Sequence, residues 1–282
     1  MDEQGLGTIL QEARQKGGLT QQQLCQRANI SFSTLTKIER GAIKSPSIFT
    51  VQSIAAALEL SLDEMLGLSP VKSANTTITK TRSGVSFIYF DVNGCLVHFY
   101  QRAFVAIAQA TGAPYDAVQD VFWRHNSDAC QGTMSISDFN RVLAERLGVE
   151  SIDWAKYYLE AIEPIQQMQD LLIAASKQYR IGLLTNIMPG LLSTMFKNEQ
   201  LPNVKYEIII DSSQVGAIKP DNTIYEIAQK EAGVPANEIL LIDDDRINLM
   251  SAENFGWHAM EFDDARIDES IELISEALKP AN

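Results

Sequence analysis

The sequence predicts a multidomain protein in which an all-α domain precedes an α/β domain with a small helical insertion. Three observations support this division. Residues 4–67 contain short amphipathic segments separated by turn signals. After Gly84, continuous apolar runs alternate with amphipathic segments, which is the pattern of βαβ units around a parallel sheet. From about residue 100 to 160 only helical periodicity is present, so we expect a helical insertion after the first strand.

The N-terminal segment predicts several short helices with recognisable ends. Gly17-Gly18 ends the first helix, and Gly41 closes the third. The helices that follow the first have favourable N-cap residues at Thr20, Ser31, Ser47 and Ser61. Residues 68–84 are rich in Ser, Thr and small polar residues and predict a linker. The α/β domain is then expected to occupy residues 85–282.

Composition excludes some classes of protein. Hydrophobic residues make up 45% of the chain and charged residues 21%, which is ordinary for a globular protein. No apolar run approaches the roughly 18 residues that a membrane-spanning helix needs. The three cysteines are widely separated, and the acidic N-terminus does not resemble a signal peptide. We therefore expect a cytoplasmic protein without a membrane partner.

The net charge of −13 is unevenly distributed. Residues 71–282 carry −12, whereas residues 13–44 contain six basic residues and one acidic residue, a net charge of +5. The net negative charge of the whole chain disfavours binding to nucleic acid. The uneven distribution nevertheless allows one basic face on the first domain. Nucleic acid therefore remains a candidate partner for that domain alone.

The second and third helices are separated by a tight turn, so the third helix can project outward into a major groove. Its exposed side chains are expected to reach base edges, and Gln21 is placed near a helix N-terminus where it can hold a phosphate. The predicted DNA-binding residues are Gln21, Ser31, Phe32, Ser33, Thr36 and Lys37.

The stretch "LTQQQLCQRANISFSTLTKIERG" resembles the Cro/repressor helix-turn-helix family, also called XRE-type, within residues 4–66. The resemblance implies a five-helix domain that binds operator DNA as a homodimer. Phe32 departs from the family, in which a polar or basic residue is more usual at this position. The alternative interpretation is a helical domain used for protein contacts.

Polar residues follow four of the apolar runs in the second domain. Ligands of open α/β sheets bind at the carboxyl ends of the strands, so we expect these residues to lie close together. They are Asp91, Thr185-Asn186, Asp211-Ser212 and Asp243-Asp244, and Lys219 lies on a loop between the last two pairs. Close carboxylates repel each other unless a cation joins them, and Mg²⁺ prefers oxygen ligands. The pattern therefore predicts a Mg²⁺ site.

Four stretches in this order, "FDVNGCLVHF", "LLTN", "GAIKPDNTIYE" and "LIDDDRINLMSAENFGW", resemble the motifs of the haloacid dehalogenase (HAD) superfamily over about residues 85–278. The resemblance implies a Rossmann-like fold with a small helical cap. It implies that Asp91 is the nucleophile, that Thr185 and Asn186 bind the transferring group, and that Lys219 holds charge beside them. The implied metal ligands are Asp91, Asn93, Asp243 and Asp244. The paired acids favour Mg²⁺ and a phosphorylated small molecule over the metal-free dehalogenase chemistry.

Asn93 departs from this resemblance. In the phosphatases of the superfamily an aspartate stands here, whose backbone carbonyl binds metal and whose carboxyl transfers protons. Asn93 keeps the carbonyl, but its amide cannot transfer a proton, and general acid–base help contributes roughly 10²–10⁴-fold to rate. We favour a transcriptional regulator in which the second domain acts as a sensor or a dimerisation module. The alternatives are a Mg²⁺-dependent phosphatase with a regulatory DNA-binding domain, and a degenerate fold used only for assembly.

Overall fold

A computed structural model of the chain describes residues 3–28, 30–43, 46–58, 79–98 and 101–281. The chain divides into two units, residues 1–77 and 78–282. Most of the predicted linker, the N-cap expected at Ser61 and the fifth helix implied for the first domain lie outside the described residues. These features stay predictions.

Four helices of the N-terminal unit are described: α1 (Glu3–Lys16), α2 (Gln21–Ala28), α3 (Phe32–Glu39) and α4 (Ile48–Ala57). The caps follow the sequence signals, because the hydroxyls of Ser31 and Ser47 accept the backbone N–H groups of Thr34 and Thr50. Thr20 and Gln23 form a reciprocal capping box at the start of α2. A small core of buried side chains joins the helices: Leu10, Leu24, Leu35, Ile38, Val51 and Ile54.

The second unit is built on a five-stranded sheet in which every neighbouring pair of strands is parallel. Its strands are β1 (Phe87–Phe90), β2 (Arg180–Thr185), β3 (Ile208–Asp211), β4 (Ile239–Asp243) and β5 (His258–Glu261), in the spatial order β3-β2-β1-β4-β5. The first four overlap the apolar runs identified in the sequence. The side chains of β1 alternate between two buried clusters, with Phe87 and Tyr89 in one and Ile88 and Phe90 in the other.

Helices cover the sheet and form the insertion. The cap consists of α5 (Gln101–Thr111), α6 (Tyr115–Cys130), α7 (Ile136–Leu147) and α8 (Trp154–Ala161), close to the predicted span of 100–160. The remaining helices are α9 (Gln166–Ala175), α10 (Leu191–Lys197), α11 (Ser212–Val215), α12 (Asn222–Ala232), α13 (Arg246–Asn254) and α14 (Ile267–Ala277). The predicted fold class is confirmed. Among the described residues no helix combines the length and the apolar character needed to cross a bilayer.

Candidate active site at the strand ends

Lys219 connects two carboxylates at the carboxyl ends of the central strands. Asp91 directly follows β1 and Asp243 ends β4, so the parallel pairing of these strands places the two residues side by side. The Lys219 Nζ atom lies 3.0 Å from Asp91 Oδ1 and 2.5 Å from Asp243 Oδ2. All three residues are buried, so water screens these charges poorly. The ammonium group therefore holds the candidate nucleophile in a fixed position.

Asn186 fixes the backbone of the loop that carries this lysine. Its Oδ1 accepts the Lys219 N–H at 2.8 Å, and its Nδ2 donates to the Lys219 carbonyl at 2.8 Å. Both polar atoms of the Asn186 side chain are thus hydrogen-bonded to the backbone of Lys219. The predicted contact of Asn186 with a transferring group stays a prediction, and the structure gives this side chain a positioning role.

The carboxylate of Asp243 is held in place by hydrogen bonds as well as by its contact with Lys219. Its Oδ1 accepts the backbone N–H of Asp245 at 2.9 Å and the Nδ2 of Asn248 at 3.1 Å. Since Oδ2 contacts Lys219, both oxygens already have partners. Its predicted role as a metal ligand stays untested.

Asp244 contacts the loop after β1 through a glycine. Gly94 has a φ of +86°, and a Cβ atom added there would lie 2.1 Å from Asp244 Oδ2. Both the backbone conformation and this close approach require glycine. The carboxylate of Asp244 is therefore brought against the backbone that follows Asn93. Asp244 and Asn93 are both among the predicted metal ligands, and this contact places the Asp244 carboxylate beside the residue that follows Asn93.

The site has an excess of negative charge for its degree of burial. Burial raises the pKa of Asp91 to about 6, and Asp243 adds to this effect while Lys219 opposes it. Burial and the charges of Asp91 and Asp243 raise the pKa of Asp244 to about 8. Burial alone would lower the pKa of Lys219, but Asp243 and Asp91 raise it above its ordinary value. A further cation would relieve this imbalance.

The donor set fits Mg²⁺. Asp91, Asp243 and Asp244 each offer one carboxylate oxygen, and these oxygens lie within 4.8 Å of one another. Mg²⁺ is a hard cation that takes one or two carboxylates and keeps several waters. Among the described residues this is the one group of His, Cys, Asp and Glu side chains with such a spacing.

Thr185 supplies an unpaired donor at the end of β2. Its side chain is fully buried, and its Oγ1 has no hydrogen-bond partner within the described part of the chain. Buried hydroxyls are normally paired, so an orphaned one indicates a missing acceptor. A phosphoryl oxygen held beside Lys219 would provide that acceptor. The predicted role of Thr185 in binding the transferring group stays a prediction.

Asn93 lies in the same group of residues, and both polar atoms of its side chain are engaged. Its Oδ1 accepts the hydroxyl of Tyr158 from cap helix α8, and its Nδ2 donates to the Asn186 carbonyl at 3.4 Å. Tyr158 was not among the predicted site residues, because its position follows the ordinary apolar period of an amphipathic helix. Only the fold shows that this tyrosine reaches the site.

The predicted DNA-reading residues other than Gln21 are the N-cap of α3 and residues along that helix. Phe32 is 50% exposed, and Ser33 and Lys37 are exposed as well. Ser31 is used as the N-cap, and the Thr36 hydroxyl donates to the Phe32 carbonyl. The structure therefore leaves Phe32, Ser33 and Lys37 as the side chains of this helix that extend into solvent.

Gln21 has an internal partner. Its Nε2 donates to Glu39 Oε2 at 2.7 Å, and Glu39 also forms a buried ion pair with Arg14, with 2.7 Å between Arg14 Nε and Glu39 Oε1. The predicted phosphate contact of Gln21 stays a prediction. The structure shows that this amide has a fixed orientation before any DNA binds.

The family described as haloacid dehalogenase-like hydrolase matches residues 88–261. The chain belongs to this family. A helix-turn-helix family matches residues 10–65, so the predicted fusion of a helix-turn-helix domain with a HAD domain is confirmed. No curated protein matches the chain.

Solved structures share the fold of the HAD-like unit. A predicted HAD-like family hydrolase from Porphyromonas gingivalis is 25% identical, with 68% of this chain and 98% of that chain covered and a TM-score of 0.57. A HAD family enzyme from Bacteroides thetaiotaomicron, in complex with magnesium and inorganic phosphate, is 19% identical (64% and 95% covered, TM-score 0.52). The L-2-haloacid dehalogenase from Xanthobacter autotrophicus, with chloropropionic acid covalently bound, is also 19% identical (70% and 85% covered, TM-score 0.51).

Proposed function

We propose that this chain is a DNA-binding transcriptional regulator whose HAD-like unit binds Mg²⁺ and a small phosphate-containing ligand as a sensor. The observation that carries the proposal is the side chain of Asn93. It stands where proton transfer is needed, it cannot transfer a proton, and its two polar atoms are committed to Tyr158 and to the Asn186 carbonyl. The site thus keeps the groups that bind a phosphoryl ligand and lacks the group that speeds its hydrolysis.

Ligand binding is supported by the chemistry at the strand ends. Lys219 offers a buried positive charge, Thr185 an unpaired hydroxyl, and the three carboxylates a fitting set of oxygens for Mg²⁺. Mg²⁺, when bound, would neutralise the carboxylates and polarise a phosphoryl oxygen. The magnesium and phosphate complex of the Bacteroides enzyme, which shares this fold, supports the same pair of ligands here.

DNA binding is supported by the match to the helix-turn-helix family and by the exposed positive charge around α3. The Arg14–Glu39 pair is buried and neutral as a whole, so it does not contribute to this surface. The remaining basic residues described in this region are all exposed: Lys16, Arg27, Lys37 and Arg40. Operator binding as a homodimer is part of the proposal and is tested by light scattering of the complex.

A Mg²⁺-dependent phosphatase is the second candidate. It is favoured by the family and by the contact between Lys219 and the candidate nucleophile Asp91. An activated ester with an acidic leaving group needs little protonation, so slow turnover of such esters is compatible with either candidate. Rapid turnover of unactivated esters by the unmodified protein would favour the phosphatase.

The decisive experiment is a gel shift with DNA from the promoter region of the protein's own gene, at several salt concentrations, with and without Mg²⁺ and inorganic phosphate. A regulator should bind at low salt, lose affinity as salt rises, and change its affinity when the ligands are added. Absence of binding at low salt by the folded protein would refute the regulator. A DNA affinity that does not change when Mg²⁺ and inorganic phosphate are added would refute the sensor function.

A further inference from the structure

Ser212 is the first residue of α11, and its side chain is fully buried. It is one of the polar residues that follow the apolar runs, but it does not belong to the groups proposed to hold Mg²⁺ or phosphate. The pairing of β2 with β3 sets Thr185 beside Asp211. The loop after β2 and the chain that leaves β3 at Ser212 are therefore neighbours.

The hydroxyl of Ser212 holds the loop after β2 through its backbone. The Oγ atom accepts the Ile187 N–H at 3.0 Å. This contact is buried, so the N–H group would lose free energy without an acceptor. The bond therefore fixes the residue that directly follows Thr185 and Asn186.

The same loop carries or holds two of the groups expected to meet a phosphoryl ligand. Thr185 offers its buried hydroxyl, which has no partner within the described part of the chain. Asn186 is hydrogen-bonded through both polar atoms of its side chain to the backbone of Lys219. A shift of this loop would therefore displace the Thr185 hydroxyl and the Lys219 backbone together. The bond at Ile187 acts on both groups without lying beside the ligand.

The second bond of the Ser212 hydroxyl goes to the cap. Its O–H donates to the Cys130 carbonyl at 2.6 Å, and the Ile187 carbonyl lies farther away, at 3.4 Å. Cys130 ends α6, and the carbonyls in the last turn of a helix have no partner within that helix. Ser212 thus connects the last turn of a cap helix with the loop after β2.

Two further contacts place the end of α6 against the segment that begins with Ser212. Gly132 has a φ of +77°, and a Cβ atom added there would lie 2.4 Å from the Ser213 carbonyl oxygen. The Nε2 atom of Gln131 donates to the Gly216 carbonyl at 3.2 Å. The Cys130 carbonyl is therefore held in place as an acceptor. Since the Ser212 hydroxyl donates to it, a lone pair of the same oxygen is left for the Ile187 N–H.

We propose that Ser212 is a positioning residue of the phosphate site, which holds the loop after β2 in its binding conformation and ties it to the cap. This inference rests on the proposed phosphate-binding function. Without the hydroxyl, the Ile187 N–H and the Cys130 carbonyl both lose their partner. A loop that has the binding conformation in only a fraction of the molecules lowers the affinity by that fraction. The three carboxylates proposed for Mg²⁺ follow other strands, β1 and β4.

The test measures two dissociation constants on the full chain by calorimetry, one for Mg²⁺ alone and one for inorganic phosphate in the presence of Mg²⁺. Ser212→Ala should weaken phosphate binding about threefold to tenfold, which corresponds to one hydrogen bond. The Kd of Mg²⁺ alone should stay as in the unmodified protein. A merely structural role would lower the Tm of the variant and leave the phosphate Kd of the folded protein unchanged.

Two further variants sharpen the comparison. Ser213→Ala is the matched control, because its hydroxyl lies one residue away and donates to Asp211 Oδ1 at 2.6 Å instead of contacting the loop after β2. It should leave both dissociation constants unchanged. Ser212→Cys keeps a side chain of similar shape with a weaker acceptor, so it should weaken phosphate binding in the same direction by less. If Ser212→Ala does not fold, Ser212→Cys decides.

The outcomes separate the inference from the proposed function. An unchanged phosphate Kd in the folded Ser212 variants would overturn the inference and leave phosphate binding intact. The same would follow if Ser213→Ala weakened phosphate binding equally, or if Ser212→Ala weakened Mg²⁺ binding as much as phosphate binding. Absence of phosphate binding by the unmodified protein would overturn both the proposed ligand and the inference.

Discussion

Replacement of Asn93 by aspartate changes one atom of the side chain and two properties of the site. The carboxyl can carry a proton to a leaving oxygen, which the amide cannot do. The carboxylate also loses the bond that Asn93 Nδ2 donates to the Asn186 carbonyl. The variant should therefore hydrolyse small phosphomonoesters faster and be less stable without ligand.

The expected magnitudes follow from these two changes. General acid–base catalysis is worth roughly 10²–10⁴-fold, and a restored carboxyl outside its original surroundings should recover at least about tenfold. Leaving the half-buried carbonyl of Asn186 without its donor should cost at most about 1–3 kcal/mol. The hydroxyl of Tyr158 still donates to the new carboxylate and offsets part of this loss.

The assay measures phosphate release from methyl phosphate and phenyl phosphate with Mg²⁺, beside urea unfolding followed by tryptophan fluorescence. Asn93→Ala is the matched control, because it removes the bonds to Tyr158 and to the Asn186 carbonyl without supplying an acid. It should lose stability and gain no turnover. Asp91→Asn added to Asn93→Asp should abolish the gain, because no nucleophile remains.

Two results would refute the reasoning. Robust turnover of unactivated esters by the unmodified protein would mean that another group transfers the proton. Absence of a gain in Asn93→Asp, with Mg²⁺ still bound, would mean that more than the proton carrier has been lost.

Further predictions concern the metal, the lysine and DNA. Asp244→Asn should abolish the rise in Tm caused by Mg²⁺, whereas Asn93→Ala should largely retain it because the backbone carbonyl remains. Lys219→Met should cost about 3–5 kcal/mol in urea unfolding at neutral pH, because it leaves Asp91 and Asp243 buried without their cation; a loss below 1 kcal/mol would contradict this. The pKa of Asp91 is raised from 3.8 to about 6, so stability that is present below pH 4 should be lost as pH rises through about 6, by up to about 3 kcal/mol, and Mg²⁺ should reduce this slope in urea titrations. Lys37→Ala should weaken operator binding by about 1–3 kcal/mol in gel shifts if this side chain reads a base, and an unchanged affinity would remove it from the reading surface.

The sequence predicted the four strands that contain apolar runs, but it did not predict β5, which forms one edge of the sheet. The four runs that overlap β1 to β4 end next to the residues of the site, and the parallel strands bring these carboxyl ends together. The fifth strand, His258–Glu261, was not predicted. Its side chains are half-buried or exposed and mix polar with apolar types, so its short segment has no strand pattern.

The residues of the site could be predicted from the sequence, but the hydrogen bonds among them could not. Residue type and position at strand ends identified Asp91, Thr185 and Lys219. The amide of Asn186 contacts Lys219 over a separation of 33 residues, and no local pattern encodes such a pairing. Tyr158 is still farther from its partner, 65 residues from Asn93. Only tertiary packing determines contacts at these separations.

The carboxylate of Glu39 has a consequence for any shortened version of the helix-turn-helix domain. It receives bonds from Arg14 on α1 and Gln21 on α2, while its own backbone belongs to α3. One side chain thus links three helices. A truncation that begins after α1 would keep every residue expected to touch DNA, yet leave a buried anion without its cation. Such a fragment should present α3, the helix expected to read DNA, at the wrong angle. The first helix would thus determine how α3 docks on DNA without itself contacting the DNA.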